Sequence, residues 1–201
     1  MTSTAPPRLA GSRPGGARSM TLSWALWTAG FLAFPLAGLA GTGVVGRVDG
    51  PVAALLGGTV TGLVVGAGQA LMARRRLPAL RWITATAVGM GVGLLLGATA
   101  VSYGTTLREL AVQGALTGLV VGPAQALALH GRTGRRLRWT WAAAAPLLWA
   151  LGWAVTTVGG IDVEAQYTVF GAYGAITYSA LAGLLVIRIP PRSGAEPPLT
   201  S

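Results

Sequence analysis

Cysteine and lysine are absent from this chain, and acids are scarce: five Asp and Glu stand against fifteen Arg and one histidine, His130. Without cysteine there can be no disulfide, no thiolate metal ligand and no Cys nucleophile. A lone imidazole with no thiol beside it does not make a structural zinc site, which takes four protein ligands. The four acids before the C-terminal stretch, Asp49, Glu109, Asp162 and Glu164, all flank the long apolar runs. No carboxylate therefore sits where a proton relay or a coupling-cation site inside a membrane would need one. Missing too are a Gly-x-Ser-x-Gly elbow, a zinc-protease helix motif and a phosphate loop. Ser102 and His130 lie in different runs, one expected near the outer face and the other near the inner, so they form no nucleophile pair. The chain is expected to be no enzyme, with no catalytic residue, no cofactor and no metal.

What the chain has is apolar length. It is 52% hydrophobic and only 10% charged, with a mean hydropathy of +0.60, whereas roughly a quarter of the residues in soluble domains are charged. Charges mark off six uncharged runs, 19–46, 50–73, 82–107, 110–131, 139–161 and 165–187. Each reaches the ~20 residues needed to cross a hydrocarbon core as a helix. Barrel strands would instead be ~10 residues of alternating polarity. Six transmembrane helices are expected, at about 20–42, 51–73, 80–103, 107–130, 138–159 and 165–188, making a transmembrane domain over 20–189. Residues 1–19 and 190–201 hold little to bury and are expected to be disordered tails.

The net charge of +10 is concentrated in four places: Arg8, Arg13 and Arg18; Arg74, Arg75, Arg76 and Arg81; Arg132, Arg135, Arg136 and Arg138; and Arg188 with Arg192. The three intervening loops hold only Arg47 and Arg108. Because Lys and Arg are retained on the cytoplasmic side, both termini and the two Arg-rich loops are expected inside the cell, at the bacterial cytoplasmic membrane. This placement accounts for the charge without nucleic acid as a partner. The expected partners are the lipid bilayer, anionic headgroups attracted by the Arg clusters at ~1 kcal/mol per charge, and a membrane-protein partner or a second copy.

A repeat runs through the apolar segments. Residues 58–72 and 114–128 agree at ten of fifteen positions and share Thr-Gly-Leu-Val-Val-Gly at 61–66 and 117–122. Gly174-Ala175-Ile176-Thr177 echoes Gly114-Ala115-Leu116-Thr117 more faintly. Leu22-Ser23-Trp24, Leu80-Arg81-Trp82 and Leu137-Arg138-Trp139 open the first, third and fifth runs, with Trp at the border its amphipathic ring favours. The implied fold is all-α: a six-helix transmembrane bundle of three like-oriented helical-hairpin repeats, related by a pseudo-threefold axis along the bilayer normal. The first run, with Arg18 before it, Pro35 inside it and Gly38-Leu39-Ala40 near its end, also fits a cleavable leader. Its shared Leu-x-Trp opening favours a retained helix.

Within the runs, Gly58, Gly62 and Gly66, then Gly89, Gly93 and Gly97, then Gly114, Gly118 and Gly122 recur at steps of four. Small residues so spaced let helix backbones approach in lipid, where apolar burial no longer drives association. These nine are the candidate helix-packing residues. Gln69 and Gln125, equivalent in the repeat, must find polar partners, either between helices or as the lining of a cavity open to the cytoplasm. Pro35, Pro123 and Pro146 interrupt helical runs. Trp141, Trp149 and Trp153 stripe the fifth run, with Tyr173 and Tyr178 in the sixth, as packing, a lipid-facing band or an aromatic wall for a flat ligand. Thr106 and Glu109 have capping-box spacing, and Asp162 and Glu164 suit the positive end of the last helix.

The pattern Gly-x3-Gly-x2-Gln at the end of one helix, a basic loop, then Arg-Trp opening the next resembles bacterial polytopic membrane proteins with repeated hairpins of this kind and no assigned activity. In those the motif continues Gln-Trp, where this chain has Ala70 and Ala126. The likeness covers roughly residues 55–155. In length and six-helix topology the chain also resembles the substrate-binding subunits of energy-coupling-factor vitamin transporters. That likeness implies docking through small residues of the first helix, here Ala25-x3-Ala29 or Ala33-x3-Ala37. The expected role is a non-enzymatic structural or accessory membrane subunit. The alternative is a small-solute or lipid transporter, or a substrate-binding subunit, with its cavity between the repeats.

Overall fold

The computed structural model describes residues 15–161 and 168–192, except the side chains of 15–17 and Arg74. Among the described residues all regular structure is helical. Helix α1 (Gly15–Ala29) passes through a 3-10 turn at Gly30–Leu32 into α2 (Ala33–Val45). There follow α3 (Pro51–Ala73), a 3-10 turn at Arg74–Arg76, α4 (Ala79–Ala100), α5 (Leu107–Ala128), α6 (Arg135–Val158) and α7 (Ala172–Val186). Five stretches are long and apolar enough to cross a membrane, the first running from Arg18 to Val45 through both α1 and α2.

Local chemistry accounts for several boundaries. Pro35 has no N–H for the carbonyl four residues back, at Phe31, and the chain tightens into a 3-10 turn there. Gly46, at φ +70, ends α2 with its N–H on the Thr42 carbonyl, a conformation that would strain other residues. Pro51 takes the first position of α3, where its missing N–H would have had no helical partner. Thr106 and Glu109 form the capping box at the start of α5: the Glu109 N–H donates to Thr106 Oγ1, and the Thr106 N–H donates to Glu109 Oε2 at 2.9 Å.

Several boundaries differ from expectation. Gly15–Ser19, expected in the N-terminal tail, begin α1, and residues 1–14 lie outside the described part. The first span continues past residue 42 to Val45, where Gly46 ends it. Helix α4 stops at Ala100, and Ser102 and Tyr103 adopt positive φ just beyond it. The sixth helix is the largest departure. It begins at Ala172 rather than 165 and has 15 residues, about 22 Å at 1.5 Å per residue, short of the ~30 Å hydrocarbon core. Thr168, Val169 and Phe170 run instead as non-helical chain buried in the bundle. Thr61 Oγ1 donates to Thr168 Oγ1 at 2.7 Å, and the Phe170 ring lies among Phe34, Trp149 and Trp153. Irregular backbone at membrane depth is tolerated only where protein covers it, as here. Asp162 and Glu164, expected at the start of this helix, lie outside the described residues. At the far end Arg192, expected in the C-terminal tail, donates its N–H to the Arg75 carbonyl at 3.1 Å.

From α2 onward each helix packs against the next, and α7 returns to α1, closing the bundle into a ring. Aromatic rings fill its interior. Trp82 lies edge-on to Trp141 at 5.4 Å and Trp141 to Trp27 at 6.4 Å; beyond them Trp149, Phe170, Tyr178 and Phe34 cluster at 5.1 to 5.8 Å, with Phe34 and Phe170 stacked and the other pairs tilted or edge-on. Around this core the usual size order is inverted. Helix α3 buries Ala54, Gly58, Thr61, Gly62 and Gly66 while turning Leu55, Leu56, Leu63 and Leu71 outward. Leu36, Leu39, Leu127 and Leu147 are likewise more than half exposed. So much outward leucine would be an association hazard in water and is the ordinary covering of a bundle in lipid. The chain is an all-helical, apolar bundle with the spans of a multi-pass membrane protein.

Candidate functional site

The polar side chains inside the bundle are few, and they meet at helix seams. Gln69 on α3 accepts a hydrogen bond at Oε1 from Trp82 Nε1 on α4, at 3.0 Å. Gln125 on α5 accepts at Oε1 from Trp141 Nε1 on α6, also at 3.0 Å. Gln125 Nε2 then donates to Thr86 Oγ1 on α4 at 2.9 Å, and that hydroxyl donates to the Trp82 carbonyl at 2.8 Å. The Tyr178 hydroxyl on α7 lies beside Gln69 and Trp149. A polar belt thus runs from α6 through α5 and α4 to α3 and α7. The two glutamines are 3% and 1% exposed, and their carbonyl oxygens serve indole N–H groups. Interhelical bonds of this kind in membranes average ~0.6 kcal/mol, and leaving a buried donor unmatched costs about 1–3 kcal/mol.

Trp24 on α1 makes the analogous contact at the ring closure, its Nε1 donating to the Ala180 carbonyl on α7 at 2.9 Å. In each case an indole near the start of a helix donates to the helix before it in the ring. The Leu-x-Trp spacing singles out Trp139 for this place on α6, but Trp139 is 56% exposed and Trp141 makes the bond. Two residues are 200° apart on a helix, so both cannot face the seam.

The nine glycines lie on these seams. A Cβ at Gly58, Gly62 or Gly66 would come within 2.6 to 3.0 Å of α4 backbone. One at Gly89, Gly93 or Gly97 would come within 2.7 to 3.0 Å of α5 backbone. On α5, Gly114 and Gly118 face the carbonyls of Trp149 and Ala145 on α6 at 2.7 and 2.5 Å, and Gly122 faces the Ala145 methyl at 2.6 Å. Of the small residues in the first helix, Ala25 and Ala29 are exposed, whereas Ala37 is buried and Ala33 sits against Gly68. Trp149 and Trp153 are buried with Tyr178 in the aromatic core, while Tyr173 faces outward.

At the Arg-rich end the loops do more than carry charge. Arg76 Nη1 donates to the carbonyls of Ile187 and Ile189 beyond α7, and its Nη2 donates to Ser23 Oγ on α1 at 3.1 Å. Arg132 Nη2 donates to the Arg75 carbonyl at 3.0 Å and reaches the carbonyls of Arg76 and Pro190 at 3.4 Å. Cations bound to the last carbonyls of a helix satisfy groups the helix itself leaves open. Sequence reasoning missed both residues, although the signal existed: Arg76 and Arg132 are offset by the same 56 positions as the glycine repeat. Gln113 was also missed. It is buried against Gly97, and its Oε1 has no partner. His130 Nδ1 is 2.9 Å from Arg138 Nη1.

No protein-family model, curated protein or solved structure matches this chain.

Proposed function

We propose that this chain is a non-enzymatic integral protein of the bacterial cytoplasmic membrane, with both termini cytoplasmic, acting as a structural or accessory subunit. Its body is three like-oriented helical hairpins around a pseudo-threefold axis. The observation that carries this reading is that the two glutamines expected to line a cavity, Gln69 and Gln125, instead accept hydrogen bonds from Trp82 and Trp141 across helix seams. The ring interior beside them is filled by Trp27, Trp149, Phe170 and Tyr178. The three indole-to-preceding-helix bonds support the hairpin repeat. Support for a common face for the termini comes from the meeting of Arg76, Arg132 and Arg192 at one end. The positive-inside preference makes that end cytoplasmic.

The test is solute uptake and ligand-dependent thermal stability in liposomes, with Gln69→Leu and Gln125→Leu, beside purification in mild detergent. The accessory reading expects a co-purifying membrane protein and no uptake. Saturable uptake abolished by either substitution would refute it. A second reading, a lipid or small-solute transporter or substrate-binding subunit, draws on one feature: an apolar cavity of about 330 Å³ between α2, α6 and the Thr168–Gly171 segment, lined by Phe34, Leu39, Trp153 and Phe170 among others. Uptake or binding of an apolar solute that is lost on Leu39→Trp would establish that alternative.

A further inference from the structure

The Arg-rich end holds a cavity of about 570 Å³ whose lining changes character from one side to the other. Toward the membrane border it offers Ser19, Ser23, Arg75 and Arg76; toward the bundle it offers Leu26, Met72 and Val186. It lies where α1, the end of α3 and the end of α7 converge. Arg76 is half-buried in its wall. Its guanidinium donates to two carbonyls and a serine hydroxyl, all neutral, through three of its five donors. Among the described residues the only acids are Asp49, in the loop before α3, and Glu109, in the first turn of α5, both at the other end of the bundle. A partly desolvated cation with donors to spare and no carboxylate beside it favours an anionic oxygen ligand. The apolar wall would be left uncovered by a free anion.

The geometry points to one anionic phospholipid as the occupant of this cavity, its phosphate on Arg75 and Arg76 and an acyl chain along Leu26, Met72 and Val186. The inference rests on the membrane reading above and narrows its general attraction of headgroups to a single cleft. Two properties set the cleft apart from the rest of the basic surface. Arg76 is held in place by the Ile187 and Ile189 carbonyls just beyond α7, so its fork is pre-organised for phosphate oxygens. The cleft has an apolar continuation, which the exposed Arg135 and Arg136 are not shown to share. A volume of this order suits a small ligand or headgroup.

Native mass spectrometry of the detergent-purified, delipidated protein, titrated with phosphatidylglycerol, tests the assignment. One phosphatidylglycerol should be retained per chain, with phosphatidylcholine bound more weakly, and excess inorganic phosphate should not displace it. Arg75→Gln leaves the Arg75 carbonyl in place, with its bonds from the Arg192 N–H and the Arg132 guanidinium. It should weaken retention about fivefold, the equivalent of ~1 kcal/mol for one charge near a headgroup. Arg136→Gln removes the same charge elsewhere and should leave it unchanged. Equal weakening by Arg75→Gln and Arg136→Gln would overturn the site in favour of diffuse surface charge. So would equal retention of phosphatidylcholine. Displacement by inorganic phosphate would replace a lipid site by a simple anion site. A detergent-dependent protein that retains no lipid refutes the cleft alone, whereas a monodisperse protein without detergent refutes the membrane reading beneath it.

Discussion

Gly118→Ala places a methyl group where α5 and α6 touch. The added Cβ would lie 2.5 Å from the Ala145 carbonyl oxygen, 2.6 Å from Pro146 Cα and 2.7 Å from the Ala145 carbonyl carbon. All three are backbone atoms, so no side chain can turn aside and the helices must separate. Overpacking of this kind costs about 1–3 kcal/mol, offset by up to ~1 kcal/mol of helix propensity gained on replacing Gly with Ala. A net loss of about 1–2 kcal/mol corresponds to about 2–8 °C in midpoint for a chain of this size. Gly43→Ala is the matched control, because a Cβ there meets nothing within 4 Å. Thermal unfolding of both variants in the same micelles, followed by tryptophan fluorescence, should show a lowered midpoint for Gly118→Ala and an unchanged or raised one for Gly43→Ala. Equal midpoints would refute the argument that this seam is closed by backbone contact.

Other substitutions separate the polar belt from its surroundings. Gln125→Leu strands the Trp141 indole N–H and removes the bond to Thr86, so it should lower stability by about 1–3 kcal/mol, and by more than Gln69→Leu. Midpoints of the two variants decide the order. Trp141→Phe should destabilise, whereas Trp139→Phe, on the exposed face, should stay within about 0.5 kcal/mol of the parent in the same assay. Arg132→Gln should loosen the chain after α7, and faster hydrogen exchange at Ile189 and Arg192 would report it, since Arg132 reaches the carbonyls of Arg75 and Pro190.

The helical class and five of the spans were legible because they depend on run length between charges, which residue order carries directly. The start of α5 was legible for a similar reason: a capping box is a local pattern. The short sixth helix was not. Residues 165–187 read as one uninterrupted apolar run, yet Thr168 and Phe170 leave the helix because Thr61 and the Phe34–Trp149–Trp153 cluster receive them, and those receptors are remote in the chain. The same limit applied to tryptophan. Spacing favoured Trp139, while the seam selected Trp141, two residues along the same helix. Gln69 and Gln125 were conspicuous as polar residues in apolar runs, but their partners depend on which helices are neighbours. Arg76 and Arg132 looked like topology signals until the carbonyls they hold came into view.

The central claim is a lipid-embedded ring of hairpins whose Arg-rich ends share one face. The absence of native cysteine makes single-cysteine labelling with a membrane-impermeant maleimide in intact cells the most direct measurement. Gly50→Cys, Thr105→Cys and Ile161→Cys should label from outside, whereas Ser19→Cys, Thr133→Cys and Pro191→Cys should label only after the membrane is opened. Labelling of any of the last three in sealed cells, or of all six alike, would contradict the account.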